Sequence, residues 1–162
     1  MSRNKDKPFL AYYPMILTHC PFTPSPHSEY WDPKDPGPAS YKGKKEHFGS
    51  MVEYVDHLVG RIEKHLEQLG ILEDTYLIFT GDNGTDPPVV TQFKGAPYPG
   101  KKGQMQNAGT HVPLIISRPG TVKTQVTDQL VDFSDFTPTF LDIAGGTAPR
   151  RNRAKRDPTR WA

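Results

Sequence analysis

The sequence predicts an α/β fold with a largely parallel sheet. Short β-type runs and helical stretches succeed one another in the order strand, helix, strand, loop, strand, helix. The β-type runs are apolar almost throughout instead of alternating, as strands covered on both faces are. Polar residues suited to chemistry fall just beyond the ends of two of these runs, at His19 and at Asp82-Asn83. Ligands bind at that end of the strands in open α/β sheets.

Residues 9–15, Phe9-Leu-Ala-Tyr-Tyr-Pro-Met15, form a mostly apolar and aromatic run that predicts a first buried strand. Arg3, Lys5 and Lys7 ahead of it imitate a secretory signal, and Leu17-Thr-His-Cys20 loosely imitates a lipoprotein cleavage site. Pro8, Tyr12, Tyr13 and Pro14 interrupt the apolar stretch, and His19 stands where a small residue is needed, so the strand is the expectation. Most of the 17 prolines fall in residues 21–38 and 87–99. Proline lacks a backbone donor and restricts the residue before it, so both stretches are expected to be loops. Over residues 46–69 the apolar positions Phe48, Met51, Val52, Val55, Leu58, Val59, Ile62, Leu66 and Leu69 recur in steps of three and four. That spacing predicts an amphipathic helix, with Gly70 as its C-terminal stop and Glu53, Glu63, Lys64, Glu67 and Gln68 on the solvated face. Residues 75–80 and 112–117 are two further β-type runs, closed by Gly81-Asp82-Asn83-Gly84 and by Arg118-Pro119-Gly120. Residues 134–143 predict a capped helix, with Ser134 before it, proline in its first turns and Gly145 after it.

The chain has 162 residues and a net charge of +2, a balance that conceals a division. Residues 147–162 hold Arg150, Arg151, Arg153, Lys155, Arg156 and Arg160 against Asp157, a contribution of +5, so the rest stands at about −3. Residues 1–146 therefore have no nucleic-acid signature, while 147–162 read as a disordered basic tail. Its change in character suggests a frameshift near Thr147. The single cysteine, Cys20, allows no disulfide within these residues. No apolar run approaches the roughly 20 residues that span a bilayer.

Asp82-Asn83 places hard oxygen donors side by side on a glycine-flanked turn, a pattern that suits Ca²⁺ or Mg²⁺ better than Zn²⁺. The ordinary alternative is a turn whose side chains cap their own backbone. Residues 99–113 set Lys101 and Lys102 in a glycine-rich loop that could bring ammonium and backbone groups to an oxyanion, or simply be an exposed basic loop. His19, at a strand end, could act as a general acid or be satisfied by a neighbour. Cys20 has no assignable histidine and acid pair to activate it and is expected to be a packed thiol. His57 and His65 fall on the helix and are expected at the surface.

In order, the chain presents Thr18-His19-Cys20-Pro21, the long helix, Leu69-Gly-Ile-Leu-Glu-Asp-Thr75, Gly81-Asp-Asn-Gly84, Gly100-Lys-Lys-Gly103, Val112-Pro-Leu-Ile-Ile116, Arg118-Pro-Gly120 and Asp135-Phe-Thr-Pro-Thr-Phe-Leu-Asp-Ile-Ala-Gly145. This series resembles the sulfatase family, of the alkaline-phosphatase-like superfamily, over roughly residues 8–146. The resemblance implies a three-layer α/β/α domain, incomplete in this chain, cleaving a sulfate ester of a small molecule or carbohydrate. Asp82 and Asn83 match the family's metal pair, usually for Ca²⁺, with Mg²⁺ the lesser alternative. Lys102 matches the lysine that grips the sulfate. His19 matches the histidine that bonds the sulfate and helps protonate the leaving alcohol. The family is usually periplasmic, secreted or lysosomal, which implies a periplasmic or secreted protein here.

Some family features are missing. Asn107, Ala108, Gly109 and His111 stand where the family usually has glutamate, glycines and arginine. The family nucleophile is a formylglycine made from a Cys/Ser-x-Pro-x-Arg motif, and no such motif occurs in these residues. The aspartate pair that completes the metal shell is absent as well. The expectation is a C-terminal portion of a catalytic domain, with Met1 an internal start or truncation, inactive by itself. Two other readings stay open: a phosphodiesterase or phosphonate hydrolase of the same superfamily, and a non-catalytic binding fragment with a basic tail.

Overall fold

A computed structural model describes residues 1–147, so the expected basic tail, from 148 onward, lies outside the described residues. The chain divides into compact units Met1–Arg118 and Pro119–Ala162. In the first unit the dominant element is α1, Phe48–Gln68, entered through a 3₁₀ turn at Lys45–His47. Met51, Val55 and Leu66 are buried along it while Glu53, Glu63, Lys64, Glu67 and Gln68 are exposed, as the spacing requires. Its end is closed by Gly70 at φ +70°, a conformation that side chains resist. The Gly70 N–H donates to Glu67 O at 2.9 Å and the Ile71 N–H to Leu66 O at 3.1 Å, which satisfies the last carbonyls.

Strand β1 is Leu77–Thr80, the hairpin strands β2 and β3 are Val90–Phe93 and Ala96–Pro99, and β4 is Leu114–Ser117. The mixture of helices and strands agrees with an α/β domain, but the expected largely parallel arrangement is not what the described strands form. β1 pairs with β4 antiparallel, from Leu77 opposite Ser117 to Thr80 opposite Leu114, and β2 pairs with β3 antiparallel. Parallel pairing needs a long crossover to the far end of the starting strand. Here residues 81–113 leave β1 and return at the same end, and their helix, α2, is only Asn107–Thr110. Among the described residues, the one parallel contact outside the strands is the bridge between Phe22 and Gly43.

Two further expectations need correction. Residues 9–15 are not a buried strand; they run irregularly, with Leu10 76 % and Tyr12 86 % exposed. A strand borrows its hydrogen bonds from a neighbour, and among the described residues none lies alongside this run. Residues 87–99, expected to be a loop, contain the hairpin. Pro97 and Pro99 face Gln92 and Val90. In an antiparallel ladder these alternate with the bonded pairs, so neither proline's missing N–H is needed. The Gly100 N–H to Val89 O bond of 2.9 Å continues that alternation one step past Pro99.

The core of this unit is small: Cys20, Phe22, Met51 and Val89, with Leu17 and Phe48 packed against them. Phe22 meets Phe48 edge to face at 5.9 Å between ring centroids. Cys20 is thus the packed thiol expected, and His57 and His65 are exposed. At the far end of the β1–β4 pair, Arg118 donates from Nε to Glu73 O at 2.8 Å and lies over the Tyr76 ring at 4.9 Å. Its pKa is held up chiefly by hydrogen bonding to Tyr76.

In the second unit, α3 spans Phe136–Ile143, preceded by a 3₁₀ turn at Phe133–Asp135. The cap is Asp132, not Ser134: its carboxylate accepts from the Ser134 N–H at 2.6 Å, while Asp135 accepts from the Asp132 N–H at 3.1 Å. Hydrogen bonding from Ser134, its side chain first and its N–H second, holds the Asp132 carboxyl below its ordinary value. Gly145, at φ +75°, ends the helix as expected.

Candidate functional site

The excursion between the paired residues Thr80 and Leu114 forms a lobe at the carboxyl end of β1, and it contains Asp82, Asn83 and Lys102. Its loops are joined backbone to backbone. The Gly84 N–H donates to Gly109 O at 2.9 Å, and the Lys102 N–H donates to Thr85 O at 2.9 Å. Glycine is required at these seams: a Cβ on Gly84 would collide with the Ala108 carbonyl, and one on Gly100 with the carbonyls of Thr85 and Asp86. The segment Asn107, Ala108 and Gly109 therefore forms the wall against which the Asp82-Asn83 turn is fixed.

Asp82 is exposed and Asn83 half-buried. Among the described residues neither side chain enters a hydrogen bond, so the self-capping alternative for this turn does not hold here. No three histidine, cysteine, aspartate or glutamate side chains gather into a metal-sized cluster among the described residues. Asp82 and Asn83 thus provide oxygen chemistry fit for a hard cation but only part of the six to eight ligands that Ca²⁺ takes.

His19 sits on a turn in which its N–H donates to Ile16 O at 2.9 Å. Its ring is exposed, with Nδ1 2.7 Å from Cys20 O. A carbonyl can only accept, so in that contact Nδ1 is the donor, and the Cys20 Sγ lies 3.7 Å from the same nitrogen. The residues that follow His19 tie this turn to the lobe, since Cys20 and Phe22 share the core with Val89.

A second tie was not foreseen from the sequence. Lys42 Nζ lies 2.9 and 2.7 Å from the two carboxylate oxygens of Asp86, whose side chain is 15 % exposed. The Asp86 hydrogen bond is the chief cause of a raised Lys42 pKa. Around Lys42 the backbone grips the His19 segment: Phe22 N–H donates to Lys42 O at 2.8 Å and Lys44 N–H to Phe22 O at 2.9 Å. Residues 19–22, 42–44, 84–86 and 100–102 therefore form one connected framework. Lys42 and Asp86 are 44 positions apart, and no local spacing pairs them.

A family model described as Sulfatase matches residues 1–146. A sulfatase of Formosa agariphila is 32 % identical over 162 aligned residues, covering 89 % of this chain and 27 % of that protein. Human arylsulfatase A is 28 % identical, covering 91 % of this chain and 27 % of its own length. Human N-acetylglucosamine-6-sulfatase is 40 % identical over 91 residues, which are 56 % of this chain and 15 % of that protein. The chain spans about a quarter of the length of the first two relatives.

Proposed function

This chain belongs to the sulfatase family, and from that premise we propose that it forms part of an enzyme that hydrolyses a sulfate ester of a small molecule or carbohydrate. The observation that supports this most is the joined framework: Cys20 and Phe22, which follow His19, share a core with Val89, and the Lys102 N–H bonds Thr85 O just beyond the Asp82-Asn83 turn. A sulfate ester needs cationic contacts on its oxygens and an acid near the bridging oxygen. In this reading Lys102 holds the sulfate, and His19 donates a proton from Nε2 to the departing alcohol. Asp82 and Asn83 hold part of a shell for Ca²⁺, less readily Mg²⁺, and the bound cation would neutralise anionic charge in the site. The nucleophile, expected to be a formylglycine, is not among these residues, so no step is assigned to it. Operation in the periplasm or outside the cell accompanies the family assignment.

The test uses a polypeptide that joins this chain to a segment with the Cys/Ser-x-Pro-x-Arg motif, assayed on an aryl sulfate with and without Ca²⁺. Lys102→Ala is expected to lower kcat by about 10²–10³-fold, as removal of one oxyanion contact does. His19→Ala should lower it by about 10²–10⁴-fold, with a smaller loss on esters whose alcohol leaves without protonation. The 162-residue chain by itself should show no turnover. Wild-type rates in both variants would remove the assignment of Lys102 and His19, and hydrolysis by the chain alone would overturn the expectation that the nucleophile lies outside these residues.

A further inference from the structure

The β2–β3 hairpin lies along the chain between the Asp82-Asn83 turn and the Lys102 loop. Its strands are exposed along almost their whole length, so it does not serve the core. The register places Thr91, Phe93, Ala96 and Tyr98 on one face. There the rings of Phe93 and Tyr98 lie 5.5 Å apart between centroids, and Phe93 is 57 % exposed. Lys94 Nζ sits 5.4 Å from the centre of the Phe93 ring.

Two features distinguish this hairpin from a plain connector. Lys94 and Gly95 both have positive φ, 51° and 79°, the turn that normally takes Asn-Gly. A lysine tolerates that conformation poorly, yet here it sets an ammonium group beside an exposed aromatic face. Residues 87–110 also contain Lys94, Lys101 and Lys102 and no acidic residue. No carboxylate pairs with any of these lysines among the described residues. Along the chain from the hairpin through the Lys102 loop, every charged residue is therefore a lysine, the lobe's two acids, Asp82 and Asp86, both preceding it.

We propose that this hairpin is a binding platform for a sulfated oligosaccharide, with Phe93 and Tyr98 against a sugar ring and Lys94 paired to a sulfate on that unit. The proposal rests on the sulfate-ester reading and specifies its substrate as a polyanionic saccharide. The aromatic face takes the apolar side of a pyranose, and the lysine selects sugars that bear an anion. Four residues of strand extend about 13 Å at about 3.3 Å each. The platform therefore engages a unit beside the one held at Lys102.

The experiment is an amide NMR titration of the ¹⁵N-labelled chain with cellobiose 6,6′-disulfate, with cellobiose, and with sodium sulfate. The disulfate is expected to shift the amides of residues 91–98 saturably, and more strongly than cellobiose does. Phe93→Ala with Tyr98→Ala should weaken that binding about tenfold. Lys94→Asn is the decisive variant, because asparagine suits the turn better and keeps the hairpin formed. It should still weaken the disulfate about threefold and leave cellobiose unaffected. Unmoved hairpin amides, or undiminished disulfate binding by Lys94→Asn, would overturn the platform. Inorganic sulfate separates this from the parent reading: shifts at residues 101–103 with sulfate, beside a hairpin that stays silent with the disulfate, retain the anion loop and reject the platform. Silence at both rejects the platform and counts against Lys102 as a sulfate contact.

Discussion

Helix α1 and the lobe at residues 81–113 are neighbours in one unit, built by opposite means. In α1 each backbone group finds its partner four residues away, and Gly70 closes the end through Glu67 and Leu66. In the lobe the bonds that matter join Gly84 to Gly109, Lys102 to Thr85 and Gly100 to Val89. The helix depends on its own sequence, and the lobe depends on distant stretches arriving together. A helix can tolerate change at most surface positions. A stitched lobe yields wherever one seam fails, and the candidate metal and sulfate residues stand on such seams.

The largest test strikes what the two regions share. Phe22 is 2 % exposed, and its cluster includes Met51 of α1 and Val89 of the lobe. Phe22→Ala is expected to destabilise the unit by about 3–5 kcal/mol and to loosen both regions, measured by urea unfolding. A loss confined to one of them would show that the core does not join them. Gly84→Ala should cost about 1–3 kcal/mol because its Cβ runs into the Ala108 carbonyl. Hydrogen exchange should then quicken at the Lys102 amide while α1 amides stay protected, and uniform loss of protection would dissolve the distinction between the regions. Gly70→Ala acts on the helix alone and should cost about 1 kcal/mol, with exchange rising at Gly70 and Ile71 and not in the lobe.

The smallest effect is expected in the second unit, whose cap is local like α1's. The Asp132 carboxyl titrates below its ordinary value of 3.8 when folded. Its contribution is therefore present above that value and is lost as pH falls through the lower folded pKa. The Ser134 amide should exchange faster in that acid range, and Asp132→Asn should abolish the pH dependence. An unchanged profile would show that the Asp132 carboxylate does not hold the turn.

What could be read ahead of the structure follows the same division. The stripe from Phe48 to Leu69, the stop at Gly70 and the packed thiol of Cys20 were legible because periodicity and glycine act over a few residues. Residues 9–15 were misjudged because an apolar run signals a strand only if a neighbour supplies its hydrogen bonds. The hairpin at residues 90–99 was hidden by prolines whose harmlessness depends on register, and register belongs to the pair. Asp82, Asn83, Lys102 and His19 were legible as residue types in a family order, and their roles await the tests above. Asp86 and Lys42 left no local trace.

By itself the sequence determined the family, the one long helix with its ends, and which polar residues stand at element boundaries, since each depends on residue order or near-neighbour spacing. Only the tertiary structure decided the antiparallel return of β4, the seams that join the Asp82-Asn83 turn to the Lys102 loop, and the Lys42–Asp86 pair across 44 positions. The physical reason is that backbone hydrogen bonds and ion pairs between distant segments form wherever the folded chain brings donors to acceptors, and that proximity has no signature in either segment alone.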